Sequence, residues 1–96
     1  MMSNEEIKRK IIEYLLPYHP KKIGLFGSFV RNEMRPDSDT DILIDLNDSI
    51  SLFDLAHIQI ELTEMLGRKA DVLTEGALKN DRLRFYIERD LQVIYQ

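Results

Sequence analysis

The sequence predicts an α/β (α+β) fold, a mixed β-sheet flanked by helices, and three observations carry that prediction. Stretches with apolar residues every three or four positions alternate along the chain with short apolar runs of strand composition. Two of those runs carry aspartates and are separated by one long helical stretch. That connection suits a right-handed crossover or a mixed sheet with helices on one side. No repeat, linker or low-complexity segment interrupts the 96 residues, so residues 1–96 are expected to form one domain just large enough for its own core.

A first helix is predicted from Asn4 to Leu16. Ser3 and Glu6 have capping-box spacing, Ile7, Ile11, Tyr14, Leu15 and Tyr18 follow at helical spacing, and Pro17 and Pro20 stop the run. Lys22 to Phe26 is a short apolar run ending in glycine and is read as a buried strand. Ser28 to Met34 has the composition of a brief helix beginning at the Gly27-Ser28 turn, and residues 35–38 are loop chemistry. Thr40 to Leu46 is a strand whose Ile42, Ile44 and Leu46 face the core, while Asp41, Leu43 and Asp45 face the other way with Asp39. Asn47, Asp48 and Ser49 break it.

Ser51, with Asp54 at the third helical position, opens a second long helix. Its stripe is Leu55, Ile58, Leu62, Met65 and Leu66, and Gly67 stops it. Ala70 to Thr74 is a third strand with Ala70 and Val72 facing the core. Leu78 to Arg89 reads as helix, and Leu91 to Tyr95 as a terminal strand or extended tail. Sheet order does not follow from the pattern.

Composition excludes several classes. No apolar run approaches the ~20 residues needed to cross a bilayer, the N-terminus lacks the basic-then-apolar pattern of a signal peptide, and a cytoplasmic location is the default expectation. With no cysteine there is no disulfide framework, thiolate nucleophile or zinc–thiolate site. A net charge of −4 argues against nucleic acid as the main ligand, since gripping a duplex relies on Lys and Arg neutralising phosphates. Basic residues gather instead at Arg31 and Arg35 and along the stretch from Lys79 to Arg89. That stretch is read as a solvated helix face, or as a contact for a partner or for RNA.

The most informative segment runs from Gly24 to Leu46. Asp39 and Asp41, two apart at the start of a strand, point the same way, and like charges held that close repel unless a cation lies between them. Hard ions such as Mg²⁺ favour carboxylate oxygens and keep room for water and phosphate. Asp71, on a strand expected beside the first acidic one, supplies the third carboxylate for a centre holding two Mg²⁺ ions ~3.5–4 Å apart. Gly27 lets a phosphate approach the backbone, and Ser28 offers a hydroxyl and a helix N-terminus. Competing readings are weaker. Asp37, Asp39 and Asp41 imitate the start of a calcium loop, but Ile42 stands where that loop demands glycine. His19, between Tyr18 and Pro20, is read as a helix-end or turn residue, and His57, on a helix, has no second histidine or cysteine nearby in sequence. Asp45 shares the face of Asp41 but is displaced from it along the strand. Tyr86 and Tyr95 are read as core or edge aromatics.

Gly27-Ser28, ten residues, Asp39-x-Asp41 and the later Asp71 resemble the minimal nucleotidyltransferases, the smallest members of the polymerase-beta-like superfamily. The likeness covers essentially the whole chain; it departs at Asn32, where glycine is usual. It implies the polymerase-beta-like fold and transfer of a nucleoside monophosphate, usually AMP from ATP, to a hydroxyl. It also implies a partner, since such chains are commonly paired with an all-helical HEPN protein, often a ribonuclease toxin, and act as its antitoxin by adding AMP to a tyrosine. On this likeness Asp39 and Asp41 hold both metals, Asp71 completes the second site, Ser28 meets the outer phosphates, and Arg31 is assigned to phosphates or fold. The alternative is a non-catalytic antitoxin or nucleotide-binding module that neutralises its partner by steric masking.

Overall fold

The structure is a computed structural model in which residues 2–30 and 39–96 are described. Among them lie three helices and four strands: α1 (Asn4–Leu15), β1 (Pro20–Phe26), β2 (Thr40–Leu46), α2 (Leu52–Leu66), β3 (Ala70–Thr74), α3 (Asp81–Asp90) and β4 (Gln92–Tyr95). The strands make one mixed sheet in the order β3-β2-β1-β4. β1 runs antiparallel to β2 and β4, whereas β2 and β3 are parallel and joined through α2. None of the described helices is long and apolar enough to cross a membrane.

Local chemistry sets the helix ends. The Ser3 hydroxyl accepts from the Glu6 N–H at 3.2 Å. Ser51 and Asp54 close a reciprocal capping box, the Ser51 side chain accepting from Asp54 N at 3.0 Å. Gly67 ends α2 at φ 70°, a left-handed cap that costs glycine little. After α1, residues Leu16–Tyr18 tighten into a 3₁₀ turn and His19 adopts φ 58°. Its carbonyl accepts from the backbone N–H and side-chain amide of Asn47 at 3.0 and 2.9 Å, so His19 does serve as a turn.

α1 and α2 cover one face of the sheet. Ile7, Ile11 and Leu15 from α1 and Ile58, Leu62 and Leu66 from α2 bury Ile23, Leu25, Ile42, Ile44, Ala70 and Val72. The Tyr14 hydroxyl donates to Glu61 at 2.7 Å and ties the helices together. Burial, then that hydrogen bond, pushes its pKa up. α2 also seals the outer edge of β3, where the Ala70 and Val72 N–H groups donate to Thr63 Oγ1 at 3.0 Å and Gln59 Oε1 at 2.9 Å. Strand addition at that edge is thereby blocked.

The opposite face carries a smaller core in which Leu43 packs under Leu78 and Ile87, flanked by Phe26, Leu73 and Leu91. Leu43 thus faces away from the main core, as its place in the alternation predicts, and α3 keeps it fully buried. Two expectations need correction, and a third falls only partly within the described residues. The helix expected from Leu78 begins at Asp81, because the Asn80 side chain accepts from Arg82 N and Leu83 N and so defines the N-terminus. Gly27–Phe29 is a 3₁₀ turn, and the rest of the helix expected to Met34 lies outside the described residues, as do the loop at 35–38 and Asp37. Tyr86 is exposed, not core, because Ile87 takes the inward position on α3.

An ion-pair cluster pins α3 to the sheet. Glu75 pairs with Arg84 of α3 through one oxygen and faces Lys22 Nζ of β1 at 3.6 Å with the other, while Arg84 also donates to the Leu78 carbonyl at 3.0 Å. The Arg84 hydrogen bond and the Lys22 charge hold the Glu75 carboxyl below its ordinary value of 4.5. As pH falls, the unfolded chain therefore takes up this proton first. The cluster stabilises the fold above about pH 4.5 and loses that contribution as pH drops toward the folded-state pKa. Glu75→Gln is expected to cost about 1 kcal/mol at pH 7 and to flatten the acid limb of stability against pH, which urea denaturation at pH 3–7 would measure.

Candidate active site

α3 covers only part of its face of the sheet, and the row it leaves open is where the acidic side chains fall. Across three strands Phe26 pairs with Asp41, and Asp41 with Asp71. In-register residues on neighbouring strands share a face at ~4.8 Å spacing, so the two carboxylates stand side by side. Their chain neighbours Thr40, Ile42, Ala70 and Val72 are buried beneath the helices, which pins the register. A slip of one residue in either strand would send its aspartate into the apolar core.

Gly27 closes one side of this row. It has φ 75°, a conformation that L side chains rarely adopt, and a Cβ there would lie 2.3 Å from Asp41 Oδ2. The turn backbone therefore rests directly against the carboxylate. The Ser28 backbone belongs to the same 3₁₀ turn, with the Val30 N–H donating to the Gly27 carbonyl at 3.1 Å. Arg31 lies outside the described residues, and of Ser28 only the backbone is described.

Asp39 sits one residue before β2 and is exposed, at a point anchored by the Thr40 N–H donating to the Lys69 carbonyl at 2.9 Å. Lys69 itself places its ammonium 3.7 Å from Asp71 Oδ1. The signal for it was the i, i+2 spacing of Lys69 and Asp71 at a strand start, which puts both on one face. Among the described residues no three His, Asp or Glu side chains converge as a ready-made metal cage. What the fold assembles is a pair of adjacent carboxylates, Asp41 and Asp71, with a backbone turn against one of them; Asp39 is not gathered with them into a group of three. An all-oxygen donor set with open positions fits a hard divalent cation that keeps water or phosphate as co-ligands.

A cleft of about 310 Å³ opens elsewhere, between the far end of β2 and the end of β3, lined by residues including Asp45, Asn47, Asp48 and Glu75. None of Asp39, Asp41 or Asp71 lines it, and Glu75 is already engaged by Arg84 and Lys22. The chemistry-bearing groups are in the open row, not in this cleft.

Known proteins resemble the chain along its length. A family model described as the nucleotidyltransferase domain matches residues 5–94. A Methanocaldococcus jannaschii protein assigned as a candidate protein adenylyltransferase is 46% identical over 77 residues, covering 80% of this chain and 83% of the relative. The Thermococcus cleftensis protein adenylyltransferase MntA is 36% identical over 89 residues, covering 83% of this chain and 85% of that protein. A solved structure of a candidate minimal nucleotidyltransferase superposes with a TM-score of 0.77 at 28% identity, covering 95% of each chain. A chain from the complex of a tri-AMPylated Shewanella oneidensis HEPN toxin with its MNT antitoxin superposes with a TM-score of 0.79, over 97% of this chain and 72% of that one. At 18% identity the last likeness is one of fold.

Proposed function

Because this chain belongs to the nucleotidyltransferase domain family, we propose that it moves AMP from ATP to a tyrosine hydroxyl of a helical HEPN toxin and so acts as that toxin's antitoxin. The observation that carries the reading is the open row, with Asp41 and Asp71 in register and Gly27 pressed against Asp41. Asp39, Asp41 and Asp71 would hold two Mg²⁺ ions, which when bound neutralise triphosphate charge and favour ionisation of the attacking hydroxyl. The Gly27-Ser28 backbone and hydroxyl receive the outer phosphates, and Arg31 adds positive charge to them. The names of two relatives support a protein acceptor, and the AMPylated toxin in the fold neighbour supports its class.

The test is intact-mass spectrometry of a purified HEPN partner after incubation with this chain, ATP and Mg²⁺. The partner is expected to gain one or more AMP masses on tyrosine, and chelation by EDTA is expected to abolish the gain. An unmodified partner whose activity is nonetheless neutralised would overturn the reading in favour of steric masking.

A further inference from the structure

We propose that the outward stripe of α3, formed by Arg82, Phe85, Tyr86 and Arg89, is the docking surface for the acceptor protein and receives an acidic, partly apolar segment of it. The inference rests on the proposed function, in that it assigns how a protein acceptor is held at the open row. Helical geometry puts these four residues on one strip of α3, facing away from Ile87, with Asp81 and Glu88 bordering its Phe85 side. Phe85 is 65% and Tyr86 55% exposed. Their rings meet edge-on at 6.1 Å, and the Arg89 guanidinium lies over the Tyr86 ring at 5.4 Å.

Two exposed aromatics interleaved with arginines are costly to leave in water and have the composition of an interface centre, not of a solvated helix face. Two features of the molecule identify the occupant. The first is position. α3 packs on Leu43, two residues along β2 from Asp41 and on the same face, so α3 forms one wall of the open row. An acceptor that delivers a hydroxyl to Asp41 and Asp71 comes in beside this wall. The second is charge. The charged groups of the stripe itself are Arg82 and Arg89, the latter 3.7 Å from Asp90 Oδ1, on a chain of net charge −4, which makes the stripe complementary to a carboxylate set among apolar side chains of a protein segment. Another exposed apolar group, Leu52, Phe53 and Ile60, lies on α2, in the layer on the opposite side of the sheet from the carboxylates.

The experiment compares the full chain with Phe85→Ala/Tyr86→Ala, Arg82→Glu/Arg89→Glu and, as a contrast, Phe53→Ala, using the HEPN protein as the probe. Binding is read by titration calorimetry, AMP transfer by KM for the HEPN protein and KM for ATP. Both α3 variants are expected to weaken HEPN binding and raise its KM about tenfold or more with KM for ATP unchanged. Arg82→Glu/Arg89→Glu is expected also to invert the salt dependence of binding, and Phe53→Ala to bind as the unaltered chain does. Unchanged HEPN affinity in the α3 variants, or a loss confined to Phe53→Ala, overturns the proposal. If the unaltered chain binds the HEPN protein but never modifies it, the functional reading fails while the docking surface is still judged by the binding arm. Thermal melting guards against misfolding, and the reversed salt dependence distinguishes docking from a general loss of structure.

Discussion

Asp41→Asn is expected to lower AMP transfer about a thousandfold or more, on the order of 4 kcal/mol of transition-state stabilisation, while changing the stability of the folded chain by no more than about 1 kcal/mol. Asparagine keeps the shape of the side chain in the open row and removes its charge. Asp41 is the residue on which the site's geometry converges, since it is in register with Asp71 on one side and lies against Gly27 on the other. Without its carboxylate, a bound cation loses the ligand that the fold positions most closely. Asp45→Asn is the matched control. Asp45 has the same sheet direction, but it lies ~13 Å further along the strand and lines the separate cleft, so its loss is expected to leave turnover within about twofold. Radiolabel transfer to the HEPN partner, with melting curves in parallel, checks both. Full transfer by Asp41→Asn would remove Asp41 from the catalytic assignment.

Gly27→Ala is the second large effect, and it separates activity from stability in a different way. The left-handed conformation costs alanine about 1–2 kcal/mol relative to glycine. The new methyl would also meet Asp41 Oδ2 at 2.3 Å, and the yielding group is the end of a short side chain, not the sheet backbone. The carboxylate therefore rotates away while the strands hold. Stability is expected to fall by about the conformational cost alone, whereas transfer falls about a hundredfold or more because the reacting groups are displaced by an ångström or so. In an Asp41→Asn background, Gly27→Ala should add little further loss of transfer, since both changes disable one arrangement. Single-turnover rates for the four proteins of this cycle measure the coupling. Full additivity would show that Gly27 acts through something other than Asp41.

Much of the molecule was legible from local chemistry. The Ser51–Asp54 box, the Ser3 cap and the Gly67 stop are hydrogen-bonding and backbone preferences confined to a few residues, and each helix end they mark is found. The alternation in residues 40–46 assigned Ile42 and Ile44 to one face and Asp41 to the other correctly, because a strand's period does not depend on its neighbours. The start of α3 was read too early, since the apolar Leu78 continues the helical spacing while Asn80 offers a stronger cap two residues later. Tyr86 was misplaced for a related reason. On a short helix resting over a small core, Ile87, Leu78 and Leu43 suffice to fill the contact, and both aromatics are left outside.

By itself, then, the sequence determined the succession of elements and the face on which Asp41 and Asp71 would lie, because these follow from backbone periodicity. The tertiary structure alone decided the register that sets Asp71 opposite Asp41, that Gly27 closes on the Asp41 carboxylate, and that α3 stops short of that row. These are meetings between residues about 14 to 50 positions apart in the chain. Which of them form depends on the joint burial of two cores on the two sides of one sheet, and no local preference encodes that.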